Sequence, residues 1–156
     1  MRDVDLLRPT GDYAIVIVVS RGSWDVQFHQ GFATWADSLE QRDSEALLAA
    51  LRVLRDEGPA LGRPLVDSVG GSRHSNMKEL RPGSTGRTEI RALFAFDKKR
   101  QAILLVGGDK SDDWRGWYDN NIPIADDRFE DHQGKLAEQA KPAHKPKTQK
   151  KGRSKR

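Results

Sequence analysis

Cysteine is absent from the 156 residues. Neither a disulfide framework nor a thiolate zinc site is therefore available, and a reducing cytoplasm is compatible. Long apolar runs are missing too. The run near the N-terminus, AIVIVV at residues 14–19, falls far short of the roughly 20 apolar residues that cross a bilayer. It follows an acidic, proline-containing leader and precedes no small-residue cleavage motif, so a strand is expected there rather than a signal peptide. At the other end, KPAHKPKTQKKGRSKR (residues 141–156) has no acid and no apolar side chain beyond Ala143. Nothing in it can offset the entropy of ordering, and it reads as disordered.

The net charge of +4 divides into +8 over residues 141–156 and −4 over residues 1–140. The basic balance thus belongs to the tail, and does not mark the body as a general nucleic-acid binder. The tail reads as a solubilising appendage or as a salt-sensitive grip on RNA phosphates.

Hydropathy patterning organises the rest. In SWDVQFH, Trp24, Val26 and Phe28 alternate as on a half-buried strand. QGFATWADSL carries Phe32, Trp35 and Leu39 at helical spacing, and SEALLAALRVLRDEG repeats Leu47, Leu51 and Leu54. The second helix is expected to start at a cap on Asp43 or Ser44 and to stop at Gly58 and Pro59. Residues 59–75 read as a connecting loop. Three strands follow, in MKEL, TEIRALFAF and QAILLVGG, the last apolar on both faces as a central strand should be. Short connections predict that the sheet is antiparallel. Pro123 is expected to break the aromatic-rich C-terminal segment, leaving a second helix over about residues 124–136. The fold class is α+β: a small antiparallel sheet, an N-terminal helical hairpin packed on one face, and a C-terminal helix. Residues 1–21 read as an N-terminal extension, either an added strand or a start assigned too far upstream. Residues 22–137 read as the domain, and 138–156 as the tail.

The order of MKELR, EIRALFAFD and AILLVGGDK, followed by an aromatic helix and preceded by GPALGRP, resembles the RelE/ParE superfamily of bacterial toxins, and within it the HigB-like branch of type II toxin–antitoxin systems. The resemblance covers about residues 23–135. It implies a cytoplasmic toxin with a cognate antitoxin, of the helix-turn-helix HigA-like class, as its partner. Most RelE and HigB relatives cleave mRNA in the ribosomal A site, so ribosome and mRNA are implied partners. ParE relatives instead poison DNA gyrase by binding, which is the alternative reading. No membrane partner and no cofactor is implied.

Cleavage in that family runs by attack of an RNA 2′-hydroxyl on its own 3′ phosphate, leaving a 2′,3′-cyclic phosphate and a 5′-hydroxyl. It needs positive charge on the phosphoryl oxygens, a base and an acid. Arg91 matches the catalytic arginine of the family. Strand parity sets it opposite Ile90, Ala92, Phe94 and Phe96, and so on an open face if that apolar set meets the helices. Arg81 matches the arginine of the family's Leu-Arg pair. Glu79, on the same parity as Met77 and Arg81, reads as a surface salt-bridge partner or as a proton acceptor. RelE has two lysines on this strand, where Met77 and Glu79 stand here, so a RelE-type lysine base does not carry over. Lys110 corresponds to the family's basic residue after a glycine, with Asp109 capping the next turn. Tyr118 and Trp117 are the candidates for the aromatic that stacks on a base, with Tyr118 read in the cleft and Trp117 in the core, or the reverse. His74 is a candidate acid or base near neutral pH, and Arg73 and Lys78 are further RNA-binding candidates. Arg87 reads as a solvated loop residue. His29, His132 and His144 have no metal-ligand spacing, and no metal is expected.

Overall fold

A computed structural model describes residues 24–83 and 86–141, together with the backbone of three short strands before them. Those strands are β1 (Val4–Leu6), β2 (Tyr13–Ala14) and β3 (Val16–Val18). Then come β4 (Asp25–His29), α1 (Gln30–Asp37), α2 (Gln41–Glu57), a 3₁₀ turn (Gly58–Ala60), β5 (Val66–Ser68), β6 (Lys78–Leu80), β7 (Ile90–Phe96), β8 (Gln101–Asp109) and α3 (Trp114–Ala140). Residues 142–156 of the basic tail, and the side chains of residues 1–23, lie outside the described residues.

The main sheet has the order β2-β4-β8-β7-β6-β5, and β1 pairs with β3 separately. The architecture is α+β, with the helical hairpin on one face and α3 on the other. All neighbours in the main sheet are antiparallel except β4 and β8, which run parallel, with Val26 beside Ala102 and Phe28 beside Leu104. The sheet is mixed rather than antiparallel throughout. The long excursion through α1, α2 and β5–β7 leaves β8 free to take β4 as its second neighbour, which short-connection reasoning does not anticipate. The loop read over residues 59–75 contains β5, whose Val66 is buried and pairs with Leu80.

Two apolar cores flank the sheet. On one side Phe32, Leu47, Leu51 and Leu54 of the hairpin pack on Val26, Phe28, Leu80, Ala92, Phe94 and Leu104. On the other, Ile122, Ala125 and Phe129 of α3 pack on Met77, Leu93, Ala95, Ile103 and Leu105. Central β8 therefore serves both layers, which accounts for its unbroken apolar run. At its end lie Gly107 and Gly108. A Cβ on the first would come within 2.1 Å of the Trp35 indole, and one on the second within 2.2 Å of Trp117 Nε1. Only glycine admits two rings this close to the strand.

Two helix boundaries differ from expectation. The second helix begins at Gln41, a turn before the expected cap, and buried Asp43 accepts the Thr88 hydroxyl at 2.7 Å. The acid sits within the positive first turn, where the helix dipole favours it. The C-terminal segment is one continuous helix with Pro123 inside it. An internal proline costs about 3 kcal/mol. Full burial of Phe129 and near-full burial of Ile122 return roughly 1.5–3 kcal/mol each, so packing outweighs the break. Pro123 itself is exposed, which leaves the carbonyl it frees on the solvent side.

Candidate active site

Register brings the sequence-predicted cations together at one corner of the sheet. Glu79 pairs with Leu93, and Arg91, two residues earlier on β7, pairs with Gly108. Glu79, Arg91 and the following Arg81 thus share the face that α3 covers. The first turns of α3 end that cover: Trp117 lies on Gly108, and Tyr118 reaches back to β6.

At the centre stands the carboxylate of Glu79, 4% exposed. Its Oε1 accepts Arg81 Nε at 2.7 Å, and its Oε2 accepts the Tyr118 hydroxyl. Arg91 Nε lies 3.9 Å from the same carboxylate, while Arg91 Nη1 donates to its neighbour's carbonyl, Ile90 O, at 2.8 Å. Lys110 Nζ stands 5.4 Å above the Tyr118 ring centroid and 3.9 Å from Glu89. Asp109 fixes this end of β8 by accepting the backbone N–H groups of Glu89 and Ser111 at 3.0 and 2.9 Å.

The electrostatics follow from the one buried acid. Burial and the bond to Glu79 push the Tyr118 phenol up to about 12, so it is a neutral donor at physiological pH. The Glu79 bond also raises Arg81. Two guanidinium groups, Arg81 at 34% side-chain exposure and Arg91 at 15%, meet the internal Glu79 carboxylate, and Arg81 also faces Asp67 at 4.0 Å; Lys110, 13% exposed, stands over Tyr118 and faces Glu89. Such a corner can hold an oxyanion through guanidinium hydrogen bonds.

A cleft of about 440 Å³ opens beside Glu79 and Arg81, between the segment from Asp67 to Gly71 and the α3 residues Tyr118, Asp119, Ile122 and Pro123. Among the described residues no cluster of His, Cys, Asp or Glu could hold a metal ion, and no helix is long and apolar enough to cross a membrane.

Several expectations are corrected. Glu79 is no surface salt bridge but a buried hub, because α3 roofs the face that β6 presents. For the same reason Arg91 does not face an open sheet; it sits at the rim, where the roof ends. Arg73 and His74 do not join the corner. Arg73 donates to Glu130 and Asp127 at 3.0 and 2.7 Å, and His74 Nε2 lies 3.3 Å from Glu130, with its ring edge-on to Phe129. That level of α3 is about 18 Å along the axis from Tyr118. Nor is their loop merely solvated: buried Asp126 accepts Ser72 Oγ and Arg73 N–H. Lys78 has the parity of Leu80, on the helical-hairpin side. His29 caps α1, its Nδ1 accepting Gly31 N–H at 3.0 Å. Two residues escaped sequence reasoning altogether. Asp126 gave no signal. Asp119 would have been seen beside Tyr118 and Ile122 had the helix not been expected to break at Pro123.

Residues 34–130 match the family described as Phage derived protein Gp49-like (DUF891), a span that includes every residue of the corner and of the cleft. Two curated proteins of Mycobacterium tuberculosis are similar to the chain. One, provisionally named toxin HigB2, is 56% identical over 100 residues, which is 64% of this chain and 50% of the relative. The other, provisionally named toxin HigB3, is 55% identical over 96 residues, 62% of this chain and 82% of the relative. The chain thus spans half the length of the first and most of the second.

Proposed function

The chain belongs to the phage-derived Gp49-like protein family (DUF891), and from that premise we propose that it is the toxin of a type II toxin–antitoxin pair. In this reading it is a HigB-like member of the RelE/ParE superfamily that cleaves mRNA on the ribosome. The names of both relatives support the toxin assignment. The observation that carries the chemistry is the convergence of Arg81, Arg91 and Tyr118 on the buried Glu79 carboxylate, with Lys110 above the Tyr118 ring.

The reaction forms a bond from the 2′-oxygen to phosphorus and breaks the bond from phosphorus to the 5′-oxygen. Negative charge gathers on the non-bridging oxygens as it proceeds. Arg91 and Arg81 stabilise that charge, and preorganised donors of this kind do so without reorganisation at the moment of reaction. Glu79 has both carboxylate oxygens engaged, by Arg81 and by Tyr118, so it aims the guanidinium groups and the phenol rather than taking the 2′-proton. Tyr118, neutral and held at its hydroxyl, offers its ring for stacking, and Lys110 adds a third charge and a proton donor for the departing 5′-oxygen, while the 2′-proton passes to water. The partners are the ribosome and mRNA in action, and a helix-turn-helix antitoxin of the HigA-like class in restraint, in the cytoplasm. The antitoxin neutralises by covering or reshaping the rim.

The test is expression without antitoxin, followed by mapping of mRNA 5′ ends. Growth arrest with new 5′-hydroxyl ends at codon-spaced positions, abolished when ribosomes are cleared from the message, is the expected result. DNA breaks with intact messages would overturn the reading in favour of a gyrase inhibitor.

A further inference from the structure

The cleft beside Glu79 is continuous with the cationic rim but differs from it in charge. Arg81 belongs to both, yet the cleft is also lined by Asp67 and Asp119. Asp67 is already engaged: Arg63 donates to it at 2.8 Å, Ser68 N–H at 2.9 Å, and Arg81 lies 4.0 Å away. Asp119 is exposed and has no side-chain hydrogen bond or ion pair among the described residues. These carboxylates repel a phosphate. They suit a neutral group that carries N–H donors and is flat enough to lie against Tyr118 and Ile122.

We propose that this cleft is a base pocket for the nucleotide next to the scissile phosphate, in which Asp119 reads the paired N1–H and N2–H donors of guanine. The proposal rests on the RNA reading given above. Unpaired RNA bases are recognised in this way, by stacking on aromatic rings and by hydrogen bonds on their Watson–Crick edges. A free carboxylate accepts two parallel N–H groups, the arrangement that guanine alone among the four bases presents. Adenine and cytosine each set a ring-nitrogen acceptor beside their amino group, and uracil flanks its imino group with carbonyls. The volume of about 440 Å³ falls within the range of small-ligand pockets.

Trinucleotides with 2′-deoxyribose cannot be cleaved, so they separate binding from chemistry. The full chain is titrated with a set varied in base at each position, followed by tryptophan fluorescence, for the wild type and for Asp119→Asn, an exposed substitution. The wild type is expected to bind guanine at one position about tenfold more tightly than the other bases. Asp119→Asn should lose that preference and favour adenine, which pairs bidentately with a carboxamide. Equal binding of all four bases, no binding at all, or an unchanged ranking in Asp119→Asn overturns the pocket. Guanine preference without messenger cleavage in cells would keep the pocket and remove the nuclease reading. Cleavage without base preference would do the reverse.

Discussion

Among the charged contacts that tie α3 to the rest of the molecule, two clusters are built in opposite senses. Near the start of the helix the buried group is an acid on a strand, Glu79, and the cations around it reach the rim. At the middle of the helix the buried acid is Asp126 of the helix itself, and what it holds is the loop carrying Ser72 and Arg73. There the lone guanidinium, Arg73, is already divided between Asp127 and Glu130. The first cluster therefore sets two guanidinium groups on one buried carboxylate at the rim, whereas in the second a single guanidinium meets two exposed acids. One arrangement leaves guanidinium groups at a rim, and the other fastens a loop.

The sharpest break in that comparison is Arg91→Ala. Loss of one preorganised donor should cut messenger cleavage by about a hundred- to a thousandfold, with the urea unfolding midpoint almost unmoved. An equal loss of activity and stability would mean that the first cluster is also a fastening. Next in size is Asp126→Ala, which strands a hydroxyl and a backbone N–H. Chemical denaturation should register about 3 kcal/mol of lost stability, and the Gly70–Gly71 wall of the cleft should loosen with it. Tyr118→Phe is milder, at about 1 kcal/mol for one hydrogen bond, but it has a pH signature. The folded phenol titrates near 12 against an ordinary 10.0. Its contribution is thus whole below about pH 10 and fades as pH rises through about 12. The phenylalanine variant should lack that alkaline loss when midpoints are followed across the window. Smallest of all is Arg73→Ala, whose exposed ion pairs should leave the midpoint nearly unchanged; a large shift there would erase the distinction between the clusters' core and their surface.

Much of this was legible in the chain. Alternation in EIRALFAF set Arg91 apart from Ala92 and Phe94, and the parity of Met77, Glu79 and Arg81 set those three on one face, as the register has them. What alternation cannot say is whether a face is roofed. Glu79 reads as a surface acid because its burial depends on α3, some forty residues later in the chain. The continuity of that helix was hidden in turn by Pro123, since a local rule against internal proline knows nothing of Phe129 packing six residues on. β5 escaped for the converse reason: three residues between glycines and prolines carry too little pattern to be seen without Leu80 beside them. The parallel pairing of β4 with β8 is a property of connectivity, which no short window contains.

The glycine pair at the end of β8 has one more implication. With Trp35 on one side and Trp117 on the other, the spacing between the layers at this point is metered by two indole thicknesses and one bare backbone. Tyr118 is the next residue along from Trp117, so its height above the arginine corner is gauged by the same stack. A single methyl group at Gly108 would act as a shim, lifting the phenol off its carboxylate without replacing any residue of the corner, and so offers a way to detune the corner from outside it.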